Sequence, residues 1–120
     1  MAPDAVTPPP APSHRRPGNL LLLSGQVGVD ENGRPVGDSF QDEVRAAFRN
    51  VRRVLDEAGA GPQQILKVTA YLADLSHFDA YNDVWLTEFP GERPARTTIG
   101  ASLHPPFRVE LDVTAWLDTP

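Results

Sequence analysis

The chain has 120 residues, no cysteine and a formal charge of −5. That length is one domain's worth. The missing cysteine excludes disulfides, thiolate metal sites and a cysteine nucleophile, and the acidic balance argues against nucleic acid as a partner, since free-standing nucleic-acid binders are usually basic. No apolar run approaches the ~20 residues of a membrane span. No charged and apolar leader opens the sequence, so no membrane is expected and the cytoplasm is the expected compartment.

Met1 to Pro12 is rich in proline and nearly free of large apolar side chains. It cannot bury enough surface to offset its ordering entropy, and it reads as a disordered tail before a single domain over residues 13–120. Asn19 to Asp30 is an apolar run ending in glycines, the pattern of a strand buried on both faces. Asn32-Gly33 then signals a two-residue type I′ hairpin turn followed by a short strand.

Ser39 to Gly61 is the best helix. Ser39 and Asp42 form an S-x-x-D start, and Phe40, Val44, Ala47, Val51, Leu55 and Ala58 recur as one apolar stripe. Arg52/Asp56 and Arg53/Glu57 are spaced as i,i+4 pairs, and Gly59 supplies the stop. Ile65 to Asp74 reads as a strand, and Ser76 to Gly91 as a second helix with Ser76 and Asp79 at its start. Phe78, Tyr81, Trp85 and Phe89 form the apolar stripe of that helix. The stretch RPARTTIG, Arg93 to Gly100, is a strand that opens on a charge. After a Pro-flanked loop comes the clearest strand, where Val109, Leu111, Val113 and Ala115 alternate with Arg108, Glu110, Asp112, Thr114 and Trp116.

The order is ββαβαββ, with a further short strand near His14 to Arg16. Two helices cover only one face of a sheet of four to six strands. The doubly apolar Leu20 to Leu23 therefore calls for a second cover, and another copy of the chain is the simplest. The expectation is an α+β sheet-and-helix layer in a homo-oligomer.

Few constellations carry chemistry on spacing alone. His14, His77 and His104 have no metal-ligand spacing, so no metal site is expected. Ser24 lacks the G-x-S-x-G of a nucleophile elbow, and a hydroxyl bonded to nearby backbone is its simplest role. Glu110 and Asp112 share one face of the last strand, with Arg96 and Arg108 the nearest cations in sequence. Two readings stay open: a structural salt bridge at a subunit boundary, or a polar pocket there in which arginine grips a carboxylate and a carboxylate handles a proton.

Four stretches together resemble the RidA/YjgF family, the reactive intermediate deaminases also named for L-PSP endoribonuclease. They are LLLSGQVGVDENGRPVG, NVRRVLDEAGAG, ILKVTAYLADLSHFDAYNDVW and RPARTTIGASLHPPFRVELDVTAW. The resemblance implies a chorismate-mutase-like fold, with a mixed sheet of about six strands, two helices on one face and a homotrimeric, barrel-like assembly. It implies hydrolysis of 2-imino and enamino acids to 2-keto acids and ammonia, in clefts between subunits and with no cofactor. By the same resemblance, Arg96 binds the substrate carboxylate and Glu110 positions or activates the attacking water. Ser24 and Gly25 line the cleft, Asn82 lies near it on the second helix, and the backbone carbonyl of Thr98, where many relatives carry cysteine, orients the water. The chain departs from the pattern at its start, where APSHRRPG replaces a stretch whose tyrosine reaches the site. An imine deaminase is thus the leading expectation. A non-catalytic binder of small carboxylates using the same arginine is the alternative, and an endoribonuclease or translation inhibitor is disfavoured by the acidic charge.

Overall fold

The computed structural model describes residues 11–118; most of the expected tail, residues 1–10, lies outside them. In chain order the elements are β1 (His14–Arg15), β2 (Leu20–Leu23), β3 (Gln26–Val27), α1 (Phe40–Glu57), β4 (Ile65–Leu72), α2 (Phe78–Glu88), β5 (Ala95–Gly100) and β6 (Val109–Trp116). Short 3-10 turns over Pro62–Gln64 and Leu75–His77 lead into β4 and α2. The six-stranded sheet runs β1-β2-β6-β4-β5, with β3 also paired to β6. Every pairing is antiparallel except β4 with β5. Both helices pack on one face, the α+β layer expected.

The alternation of β6 decides which face is which. Val109, Leu111, Val113 and Ala115 are fully or almost fully buried under the helices, so Glu110, Asp112, Thr114 and Trp116 lie on the helix-free face. The α1 stripe meets them: Phe40, Val44, Ala47, Val51 and Leu55 are all buried. Each such aliphatic or aromatic side chain contributes roughly 1.5–3 kcal/mol when removed from water. Ser39 caps α1 as read, its Oγ accepting from the Asp42 N–H at 3.0 Å, and Gly59 takes the left-handed φ of 81° that ends the helix.

Three local expectations are corrected. The run from Asn19 to Asp30 is not one strand. Leu22 pairs with Thr114 and Gln26 with Leu111, so four steps on one side meet three on the other. One extra residue is absorbed at Ser24-Gly25 as a bulge. Within one chain Leu21 and Leu23 are buried and Leu22 is exposed on the helix-free face, which also carries the exposed Trp116 and Ile99; this is the face for which the sequence calls for a second cover. Asn32-Gly33 is not a type I′ turn, because Gly33 has positive φ and Asn32 does not. Instead the Asp30 carboxylate accepts from the N–H groups of Asn32 and Arg34, and only a single bridge, Val29 to Pro35, follows. Finally, Ser76 does not cap α2. Asp74, two residues earlier, accepts from the Ser76 N–H at 2.9 Å and starts a 3-10 turn from which α2 continues.

Ion pairs redistribute as well. Arg53 meets Glu57 at 3.7 Å as spaced, but Arg52 turns from Asp56 to Glu88 on α2, tying the two helices together.

Candidate functional site

Arg96 and Arg108 are the two arginines of intermediate burial among the described residues, and they are held in opposite ways. Arg108 is neutralised. Its Nε–H donates to Glu43 Oε1 and its backbone N–H to Glu43 Oε2, both at 2.7 Å, and the Val109 N–H reaches the same oxygen at 3.3 Å. Glu43 is buried, and these donors account for its charge in the interior. Neither Arg108 nor Arg96 pairs with Glu110 or Asp112, so the salt bridge considered from the sequence does not form within the chain.

Arg96 has no carboxylate partner among the described residues. Its register partner on β4 is the buried Val68, which puts it on the helix-covered face under α2. One guanidinium nitrogen donates to Asn82 Oδ1 at 2.8 Å. The Cζ atom lies over three rings of α2, 5.0 Å from the centroid of Trp85, 5.6 Å from Phe78 and 5.8 Å from Tyr81. Phe78, Tyr81, Asn82 and Trp85 fall at i, i+3, i+4 and i+7, one stripe of the helix. Thr98, two residues on from Arg96, faces the same side, and its Oγ1 is buried without a hydrogen-bond partner. The Tyr81 hydroxyl is likewise buried and unpartnered. Burial pushes its pKa up well beyond the usual tyrosine range, against a smaller downward pull from Arg96.

Glu110 faces the other way. It pairs in register with Tyr71 and Val27 on the helix-free face. It lines an open cleft of about 430 Å³ with Gly25, Tyr71, Asp112 and the Ala101–Leu103 stretch. Gly25 makes room for the Glu110 carboxylate: a β-carbon would stand 3.0 Å from its carboxyl carbon and closer still to one of its oxygens, so the side chain would have to move. The Glu110 carboxylate makes no hydrogen bond or ion pair to any described residue. Ser24 precedes Gly25 in the chain but is not one of the residues lining the cleft; its hydroxyl donates to the Pro12 carbonyl at 2.6 Å, the backbone-bonded role that its residue type suggested.

Within one chain the six sequence-predicted residues therefore fall into two groups. Arg96, Asn82 and Thr98 gather under α2; Glu110, Gly25 and Ser24 gather on the opposite face of the sheet. The three rings around Arg96 were legible as helical periodicity but read as core. Tyr71 and the Ala101–Leu103 wall carried no sequence signal.

A pair of helices laid on one face of a mixed six-stranded sheet, with the second face open, defines the class of protein. The profile of the family described as Endoribonuclease L-PSP matches residues 10–117. The 2-iminobutanoate/2-iminopropanoate deaminase of Dermatophagoides farinae is 35% identical over 97 residues, covering 79% of this chain and 76% of its own. The mitochondrial protein MMF1 of Saccharomyces cerevisiae is 32% identical over 112 residues, covering 90% and 76%. The crystal structure of yeast Mmf1 superposes with a TM-score of 0.88 at 28% identity, over 98% of this chain and 94% of that one. The chain belongs to the RidA/YjgF family, the L-PSP family of that profile.

Proposed function

We propose that the chain is an imine deaminase that hydrolyses 2-imino and enamino acids to 2-keto acids and ammonia, without a cofactor. The observation that carries this reading is the guanidinium of Arg96: half-buried and without a carboxylate partner among the described residues. A desolvated cation of this kind calls for an anion. A planar guanidinium suits a carboxylate, and the deaminase name of the Dermatophagoides relative supplies the reaction type.

The chemistry is compatible with these side chains. An imine carbon is electrophilic, so no covalent nucleophile is needed. Water adds to that carbon as its proton passes to a carboxylate, for which the unpartnered Glu110 is our candidate. The carboxylate passes that proton to nitrogen, giving the carbinolamine. The carbinolamine hydroxyl proton then passes by the same carboxylate to nitrogen, the C–N bond breaks, ammonia leaves and the C=O of the keto acid forms. An enamine first takes a proton on carbon and enters as the imine. A positioned general base supplies ~10²–10⁴-fold, and fixing the substrate carboxylate supplies orientation.

Since Arg96 and Glu110 lie on opposite faces of one sheet, we further propose that they meet across a boundary between copies, in a homotrimer whose helix-free faces are covered. Leu22, Ile99 and Trp116, exposed on that face, favour such a cover. The cytoplasm is the proposed compartment, although the yeast relative is described as mitochondrial.

The test supplies the imine in situ from an amino acid and an amino-acid oxidase, and follows keto-acid formation. Wild type accelerates it and Arg96→Ala does not. No acceleration across several amino acids, with 2-ketobutyrate still bound at Arg96, would instead establish the second reading, a carboxylate binder. The separation of Arg96 from Glu110 within the chain is what favours that alternative.

A further inference from the structure

The surroundings of Arg96 differ in kind from those of the four arginines that form ion pairs among the described residues. Arg45, Arg52, Arg53 and Arg108 each meet a carboxylate. Arg96 meets an amide oxygen and three ring faces. All four partners are neutral. A ring face holds a cation through its quadrupole, and an amide holds it through a dipole; neither cancels its charge. A carboxylate in the same place would fix the guanidinium equally well and neutralise it.

Resting on the carboxylate-binding reading of Arg96, we propose that Asn82 and Trp85 are positioning residues whose neutrality keeps the charge of Arg96 available to an anionic ligand. Their own placement is rigid. Trp85 is buried, with its ring centroid 4.6 Å from Phe89 and 6.3 Å from Phe48 of α1. Tyr81 is buried against the same Phe48. Two of the three rings that face Arg96, those of Trp85 and Tyr81, are thus backed by the core, whereas Phe78 is exposed. Trp85 is the nearest of the three, and indole is the strongest of the aromatic faces for a cation. Asn82 takes one guanidinium nitrogen at 2.8 Å, and among the described residues no other side-chain hydrogen bond commits the rest of the fork. The α2 stripe is therefore both core and clamp: its inner rings pack, and the same rings orient the cation without quenching it.

The experiment measures calorimetric affinity of the full-length protein for 2-ketobutyrate and for its uncharged amide, 2-oxobutanamide. Melting curves confirm that each variant is folded. Wild type prefers the acid. Asn82→Asp keeps a hydrogen-bond acceptor at the same place but adds a charge. It is expected to lose about tenfold or more in affinity for the acid, the scale on which a neighbouring arginine and a carboxylate couple, with the amide unaffected. Trp85→Phe retains a ring face and stays near wild type, whereas Trp85→Leu weakens the acid selectively. In turnover these losses appear mainly in KM.

The proposal is overturned if Asn82→Asp binds the acid as tightly as wild type, or if acid and amide weaken together, the mark of a structural role. Should Asn82→Asp not fold, equal acid affinity in Trp85→Phe and Trp85→Leu overturns it alone. A wild type that binds neither probe would overturn the carboxylate reading itself, a distinct outcome.

Discussion

The Glu43 carboxylate on α1 receives Arg108 twice, at its backbone N–H and at its Nε–H, both at 2.7 Å, and receives the Val109 N–H as well. This contact pins the start of β6, the strand that carries Glu110, to the first helix. The three donors are not equivalent under mutation. Arg108→Ala removes one and leaves a buried carboxylate on two backbone N–H groups. Glu43→Ala leaves both backbone donors and a half-buried guanidinium without their acceptor. We expect Glu43→Ala to cost ~2–4 kcal/mol and Arg108→Ala less. Urea denaturation of the two variants checks the order, and equal losses would refute the account.

Gly25 and Gly28 are both closed to a β-carbon, but by different neighbours. At Gly25 the obstacle is the end of the Glu110 side chain. At Gly28 it includes the backbone oxygen of Glu43, which would stand 2.6 Å away. A side chain can rotate and a helix backbone cannot. Gly25→Ala is therefore expected to fold with little loss of stability while displacing Glu110, lowering kcat by about tenfold to a hundredfold. Gly28→Ala is expected to lower the melting temperature instead, since α1 would have to shift. Parallel melting and turnover measurements separate the two.

How far the sequence could be read depended on whether a signal was local. The Ser39 cap, the Gly59 stop, the α1 stripe and the β6 alternation from Val109 onward involve neighbours in sequence and stand as read. Arg108, which the alternation places with Glu110 on the polar face, lies before the strand and turns instead to Glu43 and Phe40 of α1. Asp74 displaced Ser76 at the start of α2 because a carboxylate and a hydroxyl, each able to accept from nearby backbone N–H groups, competed over three residues, and spacing does not rank them. Arg52 left Asp56 for Glu88 because a helix-to-helix partner is invisible to i,i+4 counting. The site shows the same limit. Strand periodicity put Glu110 on the face away from the core, as observed. It said nothing of which side of β5 Arg96 occupies, because β5 has no clean apolar alternation and its facing follows from pairing with β4. The stripe through Phe78, Tyr81 and Trp85 was seen, but a ring that packs and a ring that also holds a cation have the same spacing.

The buried Tyr81 hydroxyl gives the fold an alkaline limit. Desolvation raises its pKa above the ordinary value of 10.0, so the folded chain keeps the proton after the unfolded chain has released it. Above about pH 10 the unfolded state thus binds fewer protons, and stability falls as pH rises; below that pH this contribution is fully present. Tyr81→Phe removes the titrating group together with an unpartnered buried hydroxyl. It is expected to flatten the decline above pH 10 and to be neutral or stabilising by up to ~1 kcal/mol at neutral pH. Denaturation midpoints at pH 8, 10 and 11, values chosen to bracket the ordinary tyrosine range, check both parts.

The opposite facing of Arg96 and Glu110 makes the proposed shared site testable by mixing. If each site takes Arg96 from one copy and Glu110 from its neighbour, Arg96→Ala and Glu110→Gln chains are inactive separately but complement each other. In a randomly mixed cyclic assembly of equal parts, about one quarter of the boundaries would join an intact arginine to an intact carboxylate. Mixed and co-refolded variants should then recover about one quarter of wild-type turnover, while the same variants mixed without subunit exchange recover none. Were both residues drawn from one chain, no mixture could restore a site, since every chain lacks one of the two. Recovery therefore reports where the boundary runs, and it does so without knowledge of the natural substrate, provided that one imino acid is turned over by the wild type.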